Sequence, residues 1–591
     1  LQKIEFEESK LELENTKLIF KQSIEQAYNN MESAFSRYHI LLEQATSNNA
    51  KARLYAFENT VELTNLIPPT VSYESGGNTL IIGPTAIIES AAAQLPQLTS
   101  LTLLSTDGEK GTNPELYFAN SVQVSGFLGT FEVVIESKGT SNNLAKIAIN
   151  HDCFDVVLDL CLNSCMTEEV PVPGYYPVGR GYPKLAEALE EIPTLMGTFD
   201  KPKFFRLDTD LCAHSSRGVK GCERCVDACP AGALTSEGSD QTGHHIQINP
   251  YLCQGVGTCA TACPTEAISY ALPEAEKTQN FATRLLANYK KEGGETPIIA
   301  FCSDRHENFN VMALKTMPDH VIPVVLDELL SVGIDTWFSA LVNGAAQVLF
   351  IASRRMPETI QRVLTQEVEI AQAFLSQLGL DPQRIQVVYM EALHEMTLID
   401  TPLAVIEQPL TGNKRSRLMG ALDHLATDAI SNNIEITEIQ SLPSHAPYGS
   451  VSCETKDCTL CMGCVAVCPT RALHSDPDSP TLKFIEQDCV QCGLCVSACP
   501  EKVLSMKVQM NWSQTQRQET QIMHKEDAAC CITCGTPFAP ASMIEMLRVK
   551  LQGNPHFSDE ASISRLYMCE DCRVKDIFTD LSANPEKQLK V

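Results

Sequence analysis

Two runs of four cysteines lie in the last third of the chain and share one spacing. Cys458 and Cys489 each begin a run that reads C-x2-C-x2-C-x3-C and is followed at once by proline. Thiolates are soft ligands, and gaps of two residues curl the backbone around one centre, as a 4Fe–4S cubane requires. Structural zinc sites also use C-x2-C pairs, but two tandem runs that end in Cys-Pro favour an iron–sulfur cluster.

This spacing is the bacterial ferredoxin pattern, in which each run gives three thiolates to one cluster and its fourth to the other. We therefore predict two 4Fe–4S clusters in this module and a role in moving electrons. The first cluster is held by Cys458, Cys461, Cys464 and Cys499, and the second by Cys489, Cys492, Cys495 and Cys468.

An earlier copy of the module has two departures from the pattern. Its first run lacks the leading cysteine, which is displaced to Cys212 behind an insert of residues 213–221. In its second run Val256 stands where the second cysteine belongs. With the fourth ligands crossed as before, one 4Fe–4S cluster takes Cys212, Cys222, Cys225 and Cys263, whereas the other site has only Cys253, Cys259 and Cys229.

The valine decides what the second site of this copy can hold. Because Val256 cannot ligate iron, the three thiolates predict a 3Fe–4S cluster. One alternative is a 4Fe–4S cluster with a non-protein ligand on one iron. The other is that the site has lost its cluster and remains only as part of the fold. His214, two residues after Cys212, is a possible ligand, but we expect a loop histidine.

Two further C-x2-C pairs near the C-terminus predict a tetrathiolate site. Zinc ribbons and rubredoxin-type iron both use such pairs, and we favour zinc because a structural metal can hold a short domain folded. The predicted ligands are Cys531, Cys534, Cys569 and Cys572. Cys530 and Cys453 lie beside ligands and are interpreted as spare thiols.

The remaining cysteines match no ligand set. Cys153, Cys161 and Cys165 have C-x7-C-x3-C spacing, and we expect them to be buried apolar side chains. Cys302, at the end of a predicted strand, is expected in the core.

The composition limits which partners the protein can bind and in which cellular compartment we expect it. The 591 residues include 45 Lys and Arg against 73 Asp and Glu, a net charge of −28. Nucleic acid is excluded as a partner because phosphate binding needs a basic face. No apolar run is long enough to span a bilayer, and no signal peptide is visible. Cysteines in metal spacing then predict a reducing, cytoplasmic location.

Apolar periodicity predicts a multidomain α+β and α/β protein. Residues Phe20 to Leu42 keep a helical period, and β-rich runs such as Thr79–Ile82, Phe131–Ile135 and Val156–Leu160 follow. Strands Pro297–Phe301, Val321–Val325 and Ala346–Ile351 alternate with helices Leu326–Leu330, Thr336–Val342 and Thr359–Leu378, as in a doubly wound sheet. Half-buried strands His245–Ile248 and Thr481–Ile485 precede the second motif of each module. We expect a helical segment (1–60), an α/β domain (61–200), the first, incomplete dicluster module (201–285), a doubly wound α/β domain (286–440), the second dicluster module (441–512) and a tetracysteine domain (520–591).

Several segments outside the bare cysteine spacing resemble a known family. They are Leu211-Cys212-Ala213-His214, Gly221-Cys222-Glu223-Arg224-Cys225, Tyr251-Leu252-Cys253-Gln254-Gly255 and the tail from Met568 to Asp576. The chain is similar here to large bacterial 4Fe–4S dicluster proteins that accompany molybdenum or tungsten formate dehydrogenases. The doubly wound segment resembles the delta subunit of methyl-viologen-reducing hydrogenase, of whose cluster cysteines Cys302 alone remains.

The resemblance implies an electron conduit that serves a larger oxidoreductase, with a dehydrogenase or hydrogenase-like catalytic subunit as its partner. In this hypothesis the chain has no substrate of its own, clusters relay single electrons, and the two modules contact different partners. The alternative is a redox sensor or metalloenzyme maturation factor that uses the incomplete site at Val256. A catalytic site of the chain's own has less support, because no nucleophile–base constellation, G-x-G-x-x-G fingerprint or Walker loop occurs.

Overall fold

The computed structural model describes residues 39–60 and 69–584, apart from short gaps at 114–115, 138–139, 182, 215–218, 240, 272–273, 304–314, 316, 355, 391, 393–396, 478, 555–556 and 558. Most of the N-terminal helical period lies outside these residues, and its last turn, residues 39–44, is helical. Within the described part of the chain, no helix combines the length and the apolar character needed to cross a bilayer.

A five-stranded parallel sheet forms the core of the segment before the first module. Its elements are α1 (Asn48–Glu58), β1 (Thr70–Ser75), β2 (Thr79–Gly83), α2 (Thr85–Ala92), β3 (Leu101–Ser105), β4 (Leu116–Phe118), β5 (Ser121–Ser125), β6 (Glu132–Ser137), β7 (Thr140–Asn143), α3 (Leu144–Ala148), β8 (Val156–Asp159), β9 (Tyr175–Pro177), α4 (Leu185–Glu191) and β10 (Gly197–Pro202). The strand order β4-β3-β2-β8-β9 puts β2 and β8 at the centre. Both are buried along their whole length, which suits their apolar, β-branched sequences.

The first module is a small unit of paired strands and single-turn helices. It consists of β11 (Phe205–Leu207), α5 (Arg224–Asp227), β12 (Leu234–Ser239), β13 (Gly243–Ile248), α6 (Thr258–Ala262) and β14 (Ile268–Tyr270). β12 and β13 form an antiparallel hairpin, and β11 pairs with β14. The strand expected before the second motif is therefore present as β13.

A second parallel sheet, of four strands, lies between the modules in sequence. Its elements are α7 (Ala275–Lys291), β15 (Ile298–Ser303), β16 (Val321–Leu326), α8 (Ile334–Val342), β17 (Gln347–Ala352), α9 (Glu358–Gln377), β18 (Ile385–Tyr389) and α10 (Lys414–Ser431). The order is β16-β15-β17-β18. All four helices share one apolar cluster with Ile299, Phe301 and Phe350 of the sheet. Cys302 is buried in a smaller cluster with Ile298 and Ala300, as expected for a core residue.

The second module repeats the first, and the C-terminal segment follows it. The module contains β19 (Ile439–Ser441), β20 (Gly449–Cys453), α11 (Gly463–Ala466), β21 (Leu473–Ser475), β22 (Thr481–Phe484), α12 (Leu494–Ser497), β23 (Leu504–Asn511), α13 (Gln514–Gln518) and β24 (Gln521–Lys525), and the rest contains β25 (Ala528–Cys530), β26 (Pro537–Pro540), α14 (Ala541–Leu551), α15 (Glu560–Ser564) and α16 (Glu570–Ala583). The β21–β22 hairpin and the β20–β23 pair correspond to β12–β13 and β11–β14. The internal repeat is thus one of fold as well as of cysteine spacing.

One helix prediction in the middle segment is wrong. Leu326 to Leu330 was expected to be helical, but the structure has a single 3-10 turn at Leu329–Ser331. The carbonyls of Leu330 and Val332 accept hydrogen bonds from Thr261 Oγ1, at 2.7 and 3.3 Å. Leu326 is still part of β16, where it pairs with Ser303 of β15, so a helix does not begin there. The other two helix predictions correspond to α8 and α9.

Gly257 fixes the contact between this turn and the first module. Its φ is +92°, and a Cβ built there would lie 2.5 Å from the carbonyl carbon of Leu330. We expect Gly257→Ala to destabilise the protein by about 3 kcal/mol or more, since left-handed strain and a backbone clash add. Gly293→Ala is the matched control: its φ is +82° but its Cβ would meet nothing within 4 Å. Equal losses of apparent Tm in anaerobic circular dichroism would contradict the clash.

Candidate metal centres

The cysteines of the second module line two cavities. Cys458, Cys461, Cys464 and Cys499 lie in the wall of one, of about 360 Å³, which we name site 4. Cys489, Cys492, Cys495 and Cys468 lie in the wall of the other, of about 330 Å³, which we name site 3. In both cavities the fourth cysteine comes from the other motif, because α11 and α12 pack side by side. The fold therefore brings together the sets that crossed ligation requires.

The thiols of each cavity oppose one another's ionisation. Burial raises the pKa of Cys464 to about 12, and charge on Cys461, Cys458 and Cys499 adds to the effect. Burial likewise raises the pKa of Cys495 to about 12, and here the neighbouring charges are on Cys489, Cys492 and Cys468. A cationic iron core would remove this repulsion, so the donor sets fit the clusters expected of them.

In the first module, site 2 consists of Cys212, Cys222, Cys225 and Cys263. Burial raises the pKa of Cys225, and charge on the other three thiols raises it further. The displaced Cys212 is therefore close to Cys225 despite the insert. Cys212 and Cys263 are both buried, and both lie in the apolar cluster of this module.

His214 lies in a turn, as expected of a loop histidine, but it is buried. It is only 1 % exposed. Its Nδ1 accepts a hydrogen bond from the Gly221 backbone N–H at 3.3 Å, and its Nε2 lies 2.9 Å from Ser236 Oγ. Both ring nitrogens are thus engaged in fixing the ends of the insert, which leaves neither for iron.

Site 1 is the incomplete site, and Val256 lies in its wall. Its cavity, of about 320 Å³, is lined by Cys229, Cys253 and Cys259 together with the valine. The Sγ atom of Cys229 accepts a hydrogen bond from the Ala233 N–H at 3.3 Å. N–H donors to the sulfur ligands are one of the ways in which a protein tunes an iron–sulfur cluster. Three converging sulfurs fit a cluster with one iron corner that the protein does not ligate.

The four sites follow one another through electrostatic contact. Burial is the largest cause of the raised pKa of Cys259, Cys222 and Cys495. Charge on a thiol of the next site adds in each case: Cys225 for Cys259, Cys492 for Cys222, and Cys464 for Cys495. The packing of α5 against α6 in the first module, of Gly221 against Leu494 between the modules and of α11 against α12 in the second gives the same order: site 1, site 2, site 3, site 4.

The step from site 2 to site 3 is a contact between the two modules. A Cβ at Gly221, next to Cys222, would lie 3.0 Å from Leu494 Cδ1, next to Cys495. Arg224 strengthens this contact, since its guanidinium donates to the carbonyls of Ala262 in the first module and His445 beside the second.

The C-terminal tetrad gathers as expected. Ligand atoms of Cys531, Cys534, Cys569 and Cys572 all lie within 4.8 Å of one another. The first pair lies in the turn between β25 and β26, and Cys569 is the N-cap of α16. Ile532 N–H donates to Tyr567 O at 3.0 Å and ties the two pairs together. The tetrad is thus a candidate site for one metal ion.

Hydrogen bonds prepare this tetrad for a cation. Desolvation acts to raise the pKa of Cys531, but backbone N–H donors of Cys569 and Cys534 outweigh it and hold the pKa at about 5. Cys572 has a pKa raised to about 12, chiefly through hydrogen bonding to Cys569. Hydrogen bonding also lowers the pKa of Cys534. A tetrad in which Cys531 ionises readily and Cys572 does not suits stepwise metal binding with proton release.

The spare thiols lie beside the sites. Cys530 is exposed, and it is not among the four gathered cysteines. Burial, and then the neighbouring Cys458, raise the pKa of Cys453 to about 12. Cys453 therefore borders site 4.

Sequence reasoning missed a group in the first sheet. Cys161 and Cys165 are half-buried rather than buried, and their sulfurs lie within 4.8 Å of a carboxylate oxygen of Asp159, at the end of β8. Both oxygens of Asp159 accept hydrogen bonds, from Cys161 N (2.9 Å), Cys165 N (2.7 Å) and Tyr175 OH (2.5 Å). The carboxylate of Asp159 thus holds together the loop that carries Cys161 and Cys165. The D-x-C-x3-C spacing at a strand end was the available signal. Cys153 is also half-buried, and its Sγ lies 3.4 Å from Gly129 O.

A comparison with protein families agrees with this geometry. Residues 220–267 and 457–503 each match the model of the 4Fe-4S dicluster domain. The first match begins after Cys212, and so the displaced ligand is outside it. Two such domains give the chain an iron–sulfur electron-transfer role.

The C-terminal tetrad yields a direct prediction. We expect Cys569→Ser to lose one equivalent of bound metal per chain, because the remaining three thiols leave the ion open to solvent. Cys530→Ser, which removes an exposed thiol next to Cys531, should keep it. Elemental analysis after desalting measures the loss, and the same metal content in both variants would exclude the tetrad as the site.

Proposed function

We propose that the protein is a multi-cluster electron-transfer subunit that relays single electrons within a larger oxidoreductase. The observation that carries the proposal is the unbroken succession of sites 1 to 4 through both modules. In this assignment sites 2, 3 and 4 each hold a 4Fe–4S cluster, site 1 holds a 3Fe–4S cluster, and the C-terminal tetrad holds zinc. The clusters supply one-electron redox chemistry, and the chain sets their order and surroundings.

The middle domain supports a relay within one chain because its helix α10 binds both modules. Lys414 Nζ donates to the carbonyls of Ala260, Thr261 and Cys263 of the first module, at 2.6–3.0 Å. The adjacent Arg415 donates to carbonyls of the second module. Lys414 and Arg415, two consecutive residues of one helix, therefore hold the two modules in a fixed relative position, which keeps sites 2 and 3 next to each other.

The external partner is best placed at site 4. Cys461 is an exposed ligand candidate of that site, whereas Cys253 and Cys259 of site 1 are 8 % and 5 % exposed. The acidic chain would attract a redox protein with a basic contact surface. By the resemblance noted above, that partner is a formate dehydrogenase or hydrogenase-like catalytic subunit in the cytoplasm.

A second candidate function rests on Val256. A cluster with one iron corner facing a valine would exchange iron or a small ligand more readily than a fully ligated one. The protein would then be a redox sensor or a maturation factor, and site 1 would be its working part.

Reductive titration followed by EPR tests the conduit. We expect several clusters that accept single electrons and are reoxidised by a partner without loss of iron. Loss or conversion of one cluster on oxidation would favour the sensor instead. A folded, active, iron-free protein would contradict both functions.

Val256→Cys tests the assignment of site 1. A fourth thiol in the cavity wall should raise the iron content by about one per chain and replace the EPR signal of an oxidised 3Fe–4S cluster with that of a reduced 4Fe–4S cluster. Val256→Ala is the control, because it changes the wall without adding a ligand. Unchanged iron and spectra in Val256→Cys would favour a remnant without a cluster.

A further inference from the structure

The second motif of each module begins at an equivalent position, Cys253 in the first and Cys489 in the second. Each of these cysteines lines the cavity of its site, site 1 or site 3. The residues two positions earlier are Tyr251 and Gln487. Equivalent backbone carbonyls of the two modules can therefore be compared directly.

In the first module a lysine binds this pair of carbonyls. Lys201 Nζ donates to Tyr251 O at 2.8 Å and to Cys253 O at 2.7 Å. The same ammonium group lies 5.2 Å from the centre of the Tyr73 ring. Lys201 belongs to β10, outside the module.

In the second module an arginine binds the same pair. Arg415 donates from Nε to Gln487 O and from Nη2 to Cys489 O, the latter at 2.6 Å. Its guanidinium carbon lies 4.8 Å from the centre of the Tyr448 ring. Arg415 belongs to α10, also outside the module.

Duplication of the module does not explain this match. Lys201 precedes its cysteine by 52 residues, and Arg415 precedes its cysteine by 74. One cation extends from a strand of the first domain and the other from a helix of the middle domain. Two unrelated elements thus place a positive charge over a tyrosine ring and on the same two carbonyls. The feature common to Lys201 and Arg415 is that each binds the backbone of a cysteine that lines a candidate cluster site.

Both charges act on the adjacent sulfur. Each cation binds the backbone carbonyl of the cysteine that lines the cavity, at 2.7 Å for Lys201 and 2.6 Å for Arg415. Reduction of a cluster adds one negative charge to it. A positive charge nearby in a buried environment favours the more negative state.

We propose that Lys201 and Arg415 are equivalent positioning residues that raise the reduction potentials of sites 1 and 3, respectively. This inference rests on the proposed function, since it needs clusters at both sites. The two cations hold the first cysteine of each second motif in place and bias its site towards the reduced state.

Redox titration of the full chain with EPR detection tests this inference. Lys201→Met should lower the potential of site 1 and leave site 3 unchanged, and Arg415→Met should do the reverse. At the wild-type midpoint, the ratio of reduced to oxidised cluster at the affected site should fall by about threefold or more. Lys201→Arg and Arg415→Lys keep the charge and should restore most of the potential.

Controls separate tuning from folding and from the proposed function. Lys483→Met removes a positive charge from the second module where the lysine binds Asp476, and it should leave site 3 unchanged. A purely structural role would lower the iron content of the methionine variants without shifting the potentials of the clusters that remain, or would shift both sites together. Either result overturns the inference. Iron, sulfide and visible spectra of the wild type test the proposed function independently.

Discussion

The physical constraint on which the structure depends is the mutual repulsion of buried thiolates. Four sets of cysteines converge, and in each set burial and the charge of neighbouring thiols make one member harder to ionise: Cys259, Cys225, Cys495 and Cys464. Such a set is stable as thiols or around a cation, but not as free thiolates. Assembly of the clusters and folding of the modules are therefore coupled. The short hairpins and single-turn helices of the modules contribute little core of their own, which makes this coupling stronger.

The neighbouring domains compensate for the charge that the modules concentrate. The chain carries a net charge of −28, yet buried cations lie against the cluster loops. Lys414 and Arg415 extend from the first turn of α10 to opposite modules, and Arg417 binds Glu266 and Asp335 within the same turn. The middle domain is thus more than a spacer. Its first turn of α10 joins the modules mechanically and places positive charge where reduction will add electrons.

Residue type and spacing predicted most of the sites because cluster ligation is local in sequence. The strands before each second motif, the two parallel sheets and the C-terminal tetrad follow from patterns within some tens of residues. The positions of the two cations could not be predicted in this way. Lys201 and Arg415 bind backbone carbonyls, and because every residue has a carbonyl, the sequence does not indicate which one a distant side chain will bind. The burial of His214 was not predictable for the same reason, since its partners are the Gly221 N–H and Ser236 on β12. The helix predicted from Leu326 did not form because Leu326 ends β16, where its pairing with Ser303 on another strand decides its conformation.

The packing around Val256 bears on whether site 1 is a remnant. The valine lies between two glycines with positive φ, and neither has room for a side chain. A Cβ at Gly255 would lie 2.7 Å from the Phe204 ring, and one at Gly257 would strike the backbone at Leu330. A loop that no longer bound a cluster would not require such close backbone packing on both sides of the valine. Instead, two domains fix the backbone on either side of the valine and hold its side chain in the cavity wall. This rigidity, together with Lys201 on the adjacent Cys253 carbonyl, favours a retained cluster with one unligated corner over an abandoned site.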